Sequence, residues 1–206
     1  MPKDKTATHA KLYECMRAEF LEKGFEKASL NNIARQCGIT PAAVYRHYTS
    51  KEAMFEALVK PAWDEFNKLC ERSMSAIKNE IHTDHTTTHF DDDDSKWLNP
   101  MLDLIYKYFD EFRLLVVCSK GTKYENFSDI LIKMEEDTSK EMMAAMDAEG
   151  LPHAEISDVQ YHLAATAYVE AMLEIIRHSI PKEEAKEQFA FIYKFFHLAW
   201  KSLYNM

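Results

Sequence analysis

The sequence predicts an all-α protein, and three observations carry that expectation. Only four glycines and six prolines punctuate 206 residues, whereas an all-β chain needs a turn signal about every ten residues. Apolar residues recur at three- and four-residue steps along most of the chain, the spacing that places side chains on one face of a helix. Helix-start residues (Thr, Ser, Pro) precede these periodic stretches and glycines follow several of them, as capping chemistry requires.

The elements follow in order. Thr6 or Thr8 caps a first helix with Leu12, Cys15, Met16 and Phe20 on its apolar face. This helix ends at Gly24, a left-handed stop, after which Phe25 folds back onto it. Ser29 caps a second helix, Leu30 to Cys37, that buries Ile33, Ala34 and Cys37 and closes at Gly38. Thr40 then caps a third, with Pro41 at the first helical position, where a missing N–H is harmless. It is barely two turns long and places Val44 and Tyr48 on one face, while Ala42, Ala43, Arg46 and His47 lie on others. Ser50 opens a fourth helix with Glu52 in its first turn, favourable to the helix dipole.

That fourth helix runs through Pro61, a kink, to about Ile81. The stretch HTDHTTTHFDDDDS, residues 82–95, has no apolar period and reads as an acidic surface loop. Periodicity returns at Trp97 and runs to Gly121; further helices cover roughly Tyr124 to Ala148, Glu155 to Ser179 and Lys182 to Tyr204. No internal repeat is present.

Composition sets bounds on function. The formal net charge is −9, which excludes indiscriminate coating of nucleic acid. Residues 1–60 hold 10 basic against 7 acidic residues (+3), and the remainder 15 against 27 (−12). An acidic body with a basic head suits a protein whose head alone meets a polyanion. The four cysteines, Cys15, Cys37, Cys70 and Cys118, form no C-x-x-C pair and read as small buried residues. No run of about 18 apolar residues and no apolar leader occurs, so a cytoplasmic protein without membrane contact is expected.

The second helix, the tight turn at Gly38-Ile39 and the short third helix make a helix-turn-helix, with the first and fourth helices supplying its core. On the exposed face of the third helix, small Ala42 and Ala43 permit close approach to base edges and thymine methyls. Arg46 offers a bidentate contact to guanine. Tyr45, His47 and Lys51 are donors within reach of phosphates, and the N-termini of the second and fourth helices offer free N–H groups.

These residues also resemble a known family. Phe20-Leu21-Glu22-Lys23-Gly24-Phe25, Ile33-Ala34, Cys37-Gly38-Ile39-Thr40, Val44-Tyr45, His47-Tyr48 and Ser50-Lys51-Glu52 are similar to the N-terminal region of tetracycline-repressor (TetR/AcrR) regulators, over residues 8 to 60, about a quarter of the chain. The resemblance implies a three-helix DNA-binding domain, residues 1–50, followed by a helical ligand-binding and dimerisation domain, residues 51–206. It further implies a homodimer whose recognition helices enter successive major grooves of a pseudo-palindromic operator, about 34 to 36 Å apart. Carried over by position, Asn31, Pro41, Ala42, Ala43 and Arg46 face bases, and Tyr45, His47 and Lys51 contact phosphates; the capping residues Ser29 and Thr40 complete the DNA-binding set. Ala28 and Leu30 stand where the family often has a hydroxyl residue, and Tyr48 where it has Phe.

For the body, the resemblance implies that the last two long helices pair with those of a second subunit. Ala164, Ala167 and Ala171 permit close helix approach, and Phe189, Ile192, Phe196 and Trp200 form an apolar stripe wide enough for a dimer interface. An ordinary internal core is the competing reading of that stripe. For a small apolar or aromatic ligand, the candidates are Trp63, Phe66, Tyr106, Phe109, Phe112, Tyr124, Phe127, Met134, Met142 and Met146, a set that also suits plain core.

A rival chemistry resides in His82, Asp84, His85, His89 and Asp91 to Asp94, a local set of imidazole and carboxylate groups. A polar loop lacks the dry second shell of a catalytic metal, so a solvated loop is expected, with no metal and no cofactor. No Gly-x-Ser-x-Gly, Walker loop or dinucleotide fingerprint occurs, and no enzyme is expected. Three readings stand in order: a DNA-binding transcriptional regulator released by a small molecule, a DNA-binding dimer with no such input, and a helical metalloenzyme.

Overall fold

A computed structural model describes residues 5–84 and 95–203. Among them there are nine helices and no strand: α1 Lys5–Lys27, α2 Leu30–Cys37, α3 Pro41–Val44, α4 Lys51–Asp84, α5 Ser95–Lys107, α6 Phe109–Val117, α7 Phe127–Ala148, α8 Asp158–Arg177 and α9 Lys182–Leu203. The chain divides into two compact units, one of residues 1–64 with 108–127 and one of residues 65–107 with 128–206.

The first unit is built around aromatic rings. Gly24 interrupts α1 with φ 70° and ψ 164°, a conformation favourable only without a Cβ, and the turn delivers Phe25 back onto the preceding helix. Phe25 stacks on Phe20 with ring centroids 5.9 Å apart, and both meet Phe55 of α4 edge-on at 5.5 and 5.4 Å. Each such buried ring contributes roughly 1.5–3 kcal/mol of transfer free energy. The short α6 belongs to this unit: Cys118 O accepts from Phe25 N at 2.8 Å, and Arg17 of α1 sits 3.7 Å from both Asp110 and Glu111. Burial pushes the Glu111 carboxyl above its usual range, partly opposed by its own backbone N–H and by Arg17.

Within the stretch Trp97 to Gly121, where the apolar period runs on, the chain forms two helices, α5 and α6. Tyr108 takes φ −122° and ψ 38°, and the helix restarts at Phe109 with Phe112 N donating to Tyr108 O at 2.9 Å. The apolar residues on either side of that break serve two different cores, which periodicity alone does not separate.

In the second unit, α9 packs against α5 and α8. Ile77 and Ile81 of α4 form a closed cluster with Met142 and Met146 of α7. Ser157 and Gln160 make a reciprocal capping box that starts α8. Lys182, opening α9, reaches Asp103 of α5 at 2.8 Å. Among the described residues no helix is long and apolar enough to cross a membrane.

Candidate nucleic-acid interface

The helix-turn-helix is held by a buried carboxylate. Glu19, 1% exposed on α1, accepts from Ser29 N at 3.0 Å, from Asn32 Nδ2 at 3.4 Å and from Gln36 Nε2 at 3.3 Å. It thereby satisfies an N-terminal amide that α2 leaves unpaired and fixes the helix against α1. Ser29 itself sits at the N-cap without a side-chain cap bond. The signal in the sequence was a charged residue inside the apolar stripe of Met16 and Phe20.

At the far end of α2, Gly38 adopts φ 71° and ψ 33°. Ile39 N returns to Ala34 O at 2.9 Å, and Gly38 N to Arg35 O at 3.1 Å, a Schellman closure that turns the chain sharply. Thr40 Oγ1 then accepts from Ala43 N at 3.2 Å, and Pro41 follows at the first position of α3. The helix proper covers Pro41–Val44, shorter than the two turns expected. Helical bonding nevertheless continues: Tyr45 N reaches Pro41 O at 3.1 Å and Tyr48 N reaches Val44 O at 3.1 Å.

One residue, Val44, anchors this segment by complete burial, with Ile33, Ala34 and Cys37 of α2 beside it in the core. Most of the rest is turned out. Pro41, Ala42, Arg46, His47 and Asn31 are exposed, Ala43 is half-buried, and Tyr45 is 55% exposed. Among the described residues the Arg46 guanidinium has no hydrogen-bond or ion-pair partner, so it is available to an external acceptor. His47 and Tyr48 rest against His9 of α1, whose Nε2 lies 3.3 Å from the Tyr48 hydroxyl. The assembly is an exposed strip with small methyls, one unpaired guanidinium, a phenol and an imidazole, chemically suited to base edges and phosphates together.

Lys51 is placed differently from its neighbours. Its Nζ donates to Phe25 O at 2.8 Å, Glu26 O at 3.2 Å and Ala28 O at 3.4 Å, and lies 4.4 Å above the Phe25 ring. The ammonium covers the carbonyls at the end of α1, so its three protons are directed into the protein. Ser50 Oγ accepts from Ala53 N at 3.1 Å and caps α4.

Comparison with known proteins bears on this strip. Residues 16–58, from inside α1 to the first turns of α4, match the family described as bacterial regulatory proteins, tetR family. The chain carries a tetR-family domain. Across 52 residues the chain is 36% identical to the HTH-type transcriptional regulator UidR of Escherichia coli K12, covering 25% of this chain and 26% of that protein. Across 63 residues it is 41% identical to the nucleoid occlusion factor SlmA of Pasteurella multocida, covering 30% of each. Likeness to these curated relatives is therefore confined to less than a third of their length. Solved structures are similar over nearly the whole chain: NalD, the secondary repressor of the MexAB-OprM multidrug efflux pump in Pseudomonas aeruginosa, has a TM-score of 0.59 at 17% identity over 98% of both chains. A TetR-like regulator from Rhodococcus sp. RHA1 gives 0.56 at 13% identity over 96% of both. Such identities speak for the fold, an N-terminal helix-turn-helix followed by a helical C-terminal region.

Beyond the tetR-family domain, the residues expected to line a pocket are drawn from both units. Trp63, Phe109, Phe112, Tyr124 and Phe127 belong to the first unit, where Trp63 meets Phe127 at 5.4 Å. Phe66, Tyr106, Met134, Met142 and Met146 belong to the second. Of these, Met142 and Met146 are closed core, and the Tyr106 hydroxyl is taken by Ile180 O.

The α9 stripe also divides. Phe189 is 3% exposed and Trp200 packs on the Ile77–Met146 cluster, so both serve their own subunit. Ile192 and Phe196 are half-buried, the latter edge-on to Tyr168 at 5.4 Å. What α9 leaves exposed is Phe191, Phe195 and Leu198, with Val159 and Leu163 exposed on α8. Ala167 is exposed, and Ala164 and Ala171 are half-buried. In the histidine-rich stretch, His82 pairs with Glu149 at 2.6 Å, while residues 85–94 lie outside the described residues. Among the described residues no cluster of three or more potential metal ligands occurs.

Proposed function

We propose that the protein is a cytoplasmic, sequence-specific DNA-binding transcriptional regulator, a repressor that a small molecule releases, acting as a homodimer on a pseudo-palindromic operator. The exposed Ala42-Ala43-Arg46 strip within the tetR-family domain carries this reading. Ala42, Ala43 and Arg46 read bases, joined by Asn31 and Pro41. Tyr45 and His47 meet phosphates, and Ser29 and Thr40 set the helix starts. Lys51 takes part as the clamp that ties the start of α4 to the end of α1 and the turn after it. In this reading residues 1–50 touch DNA and residues 51–206 sense and dimerise. The paired surface is the exposed Val159, Leu163, Phe191, Phe195 and Leu198 with Ala167, an isologous contact of the kind a twofold dimer requires.

Release requires a ligand whose affinity differs between the dimer shape that fits the operator and one that does not. A full switch from 99:1 to 1:99 needs about 5.5 kcal/mol of such difference. The likeness to a nucleoid occlusion factor supports a second reading, in which the same DNA contact operates without small-molecule input. Selecting bound fragments from a random DNA pool tests the shared claim. Both readings require enrichment of a symmetric site, and an unenriched pool overturns both; only the first requires a compound that dissociates the complex.

A further inference from the structure

The helix-turn-helix holds two thiols against each other. Lys11, Cys15 and Glu19 recur at four-residue steps on α1 and so share one face, and α1 packs along α2. Both ends of that contact are fixed: Glu19 Oε2 accepts from Gln36 Nε2 at 3.3 Å, and Lys11 Nζ stands 3.8 Å from the position a Cβ on Gly38 would take. Cys15 lies between Lys11 and Glu19 on α1, and Cys37 lies between Gln36 and Gly38 on α2. The register therefore brings the two sulfurs together, and the Cys15 thiol hydrogen-bonds to Cys37. Both are free cysteines.

The two sulfurs differ in access. Cys15 is half-buried and open to a small reagent, whereas Cys37 is 3% exposed. The other cysteines have other company: Cys118 Sγ donates to Leu21 O at 3.9 Å, and Cys70 belongs to the second unit. Burial first, then the bond to Cys37, pushes the Cys15 thiol up to about 11. With little thiolate at neutral pH it reacts slowly, so the pair withstands trace oxidant and responds to sustained exposure. Cys37 is also the last residue of α2, directly before Gly38, whose left-handed conformation turns the chain toward α3. Because α3 is anchored by Val44, a displacement at the end of α2 passes into the exposed strip.

We propose that Cys15 and Cys37 are a redox site: a peroxide joins them as an α1–α2 disulfide, and the oxidised protein loses its operator contact. The Cys15 thiolate attacks one peroxide oxygen, the O–O bond breaks, and hydroxide takes up a proton and leaves as water, giving a sulfenic acid. The Cys37 sulfur then attacks the Cys15 sulfur; the S–O bond breaks, the S–S bond forms, and the departing oxygen leaves as a second water that carries the Cys37 proton. In all, two thiols and one peroxide give one disulfide and two waters. A disulfide holds its sulfurs about 2.05 Å apart, closer than a hydrogen-bonded pair of thiols, so closing it draws the end of α2 toward α1 and moves the turn at Gly38. The disulfide is independent of the proposed function; its effect on the operator rests on that reading.

The test treats the full chain with excess hydrogen peroxide, alkylates it in denaturant and maps the cross-link by mass spectrometry of its peptides, while parallel samples are assayed on a selected operator. The expected result is a linked Cys15–Cys37 peptide pair, operator affinity at least tenfold weaker than in the reduced protein, and reversal of both by dithiothreitol. Cys15→Ser should bind the operator as the reduced wild type does and keep that affinity in peroxide. No Cys15–Cys37 pair after prolonged treatment, a complete disulfide with unchanged affinity, or equal peroxide sensitivity in Cys15→Ser overturns the proposal. The two failures are distinguishable: a chain that selects no DNA overturns the proposed function, whereas the peptide map of the wild-type protein decides the redox site by itself.

Discussion

Replacing Lys51 with Met retains the aliphatic stem and removes the ammonium, which isolates what that charge does. In the structure it donates to three carbonyls, the shortest at 2.8 Å, and lies 4.4 Å over the Phe25 ring. Hydrogen bonds to a charged group contribute about 1.5–3 kcal/mol, and a partly exposed cation–π contact about 0.5–1 kcal/mol. Lys51 is only half-buried and two of its three bonds are long, 3.2 and 3.4 Å. A total near 2 kcal/mol follows. For a chain of this length each kcal/mol lowers Tm by about 2–4 °C, so Lys51→Met should melt ~4–8 °C lower by circular dichroism. The companion assay is operator affinity against salt. Each phosphate contact adds about 0.9 to the slope of log K against log salt concentration. With Lys51 serving as an internal clamp, the slope stays as in wild type while affinity falls. An unchanged Tm with a slope lower by about 0.9 per subunit would refute the clamp and make Lys51 a phosphate contact.

Other outcomes follow from the same geometry. Arg46→Ala should relax preference at one base position in each half-site by roughly 1–3 kcal/mol, visible as one flattened column in selected sequences; an unchanged pattern contradicts base reading by Arg46. Phe195→Asp should yield monomers with weak operator binding, whereas Phe189→Asp should unfold the protein instead; light scattering and thermal melts distinguish them, and a fully dimeric Phe195→Asp protein removes α9 from the interface. For Glu135 of α7, burial pushes the folded value up to about 7, above the ordinary 4.5, so the folded state holds a proton that the unfolded state has released between these values. The stability this provides is complete below about 4.5 and is lost as pH rises through 7, at up to about 1.4 kcal/mol per pH unit. Denaturant titrations should therefore show wild type losing stability relative to Glu135→Gln between about pH 4.5 and 7, and parallel curves across that range would contradict it.

Much of the first unit was legible because its signals are local. Gly24 and Gly38 mark backbone reversals, Thr40 with Pro41 marks a helix start, and a short helix between two caps has little to do except meet something outside. Glu19 and Glu135 escaped for the opposite reason. Each is a charged residue on an apolar stripe, and a sequence does not reveal whether such a residue is held by distant donors, as Glu19 is, or stands alone. Which side of α9 is covered was not legible, because periodicity marks where apolar side chains recur and not which neighbour covers them: Phe189 is buried and Trp200 packs on the Ile77–Met146 cluster, while Phe191, Phe195 and Leu198 are exposed. Residues 108–127 joining the first unit required a break at Tyr108 that carries no glycine or proline.

The central claim is that the α3 segment lies in the major groove of DNA with Arg46 on a guanine. Methylation interference at guanine N7, a major-groove atom, measures this directly on a selected operator. The account predicts interference at guanines in two symmetric half-sites centred about one helical turn apart or a whole multiple of it, with the strongest guanine in each half losing its effect in Arg46→Ala. Binding insensitive to N7 methylation, or interference that survives Arg46→Ala unchanged, would contradict it.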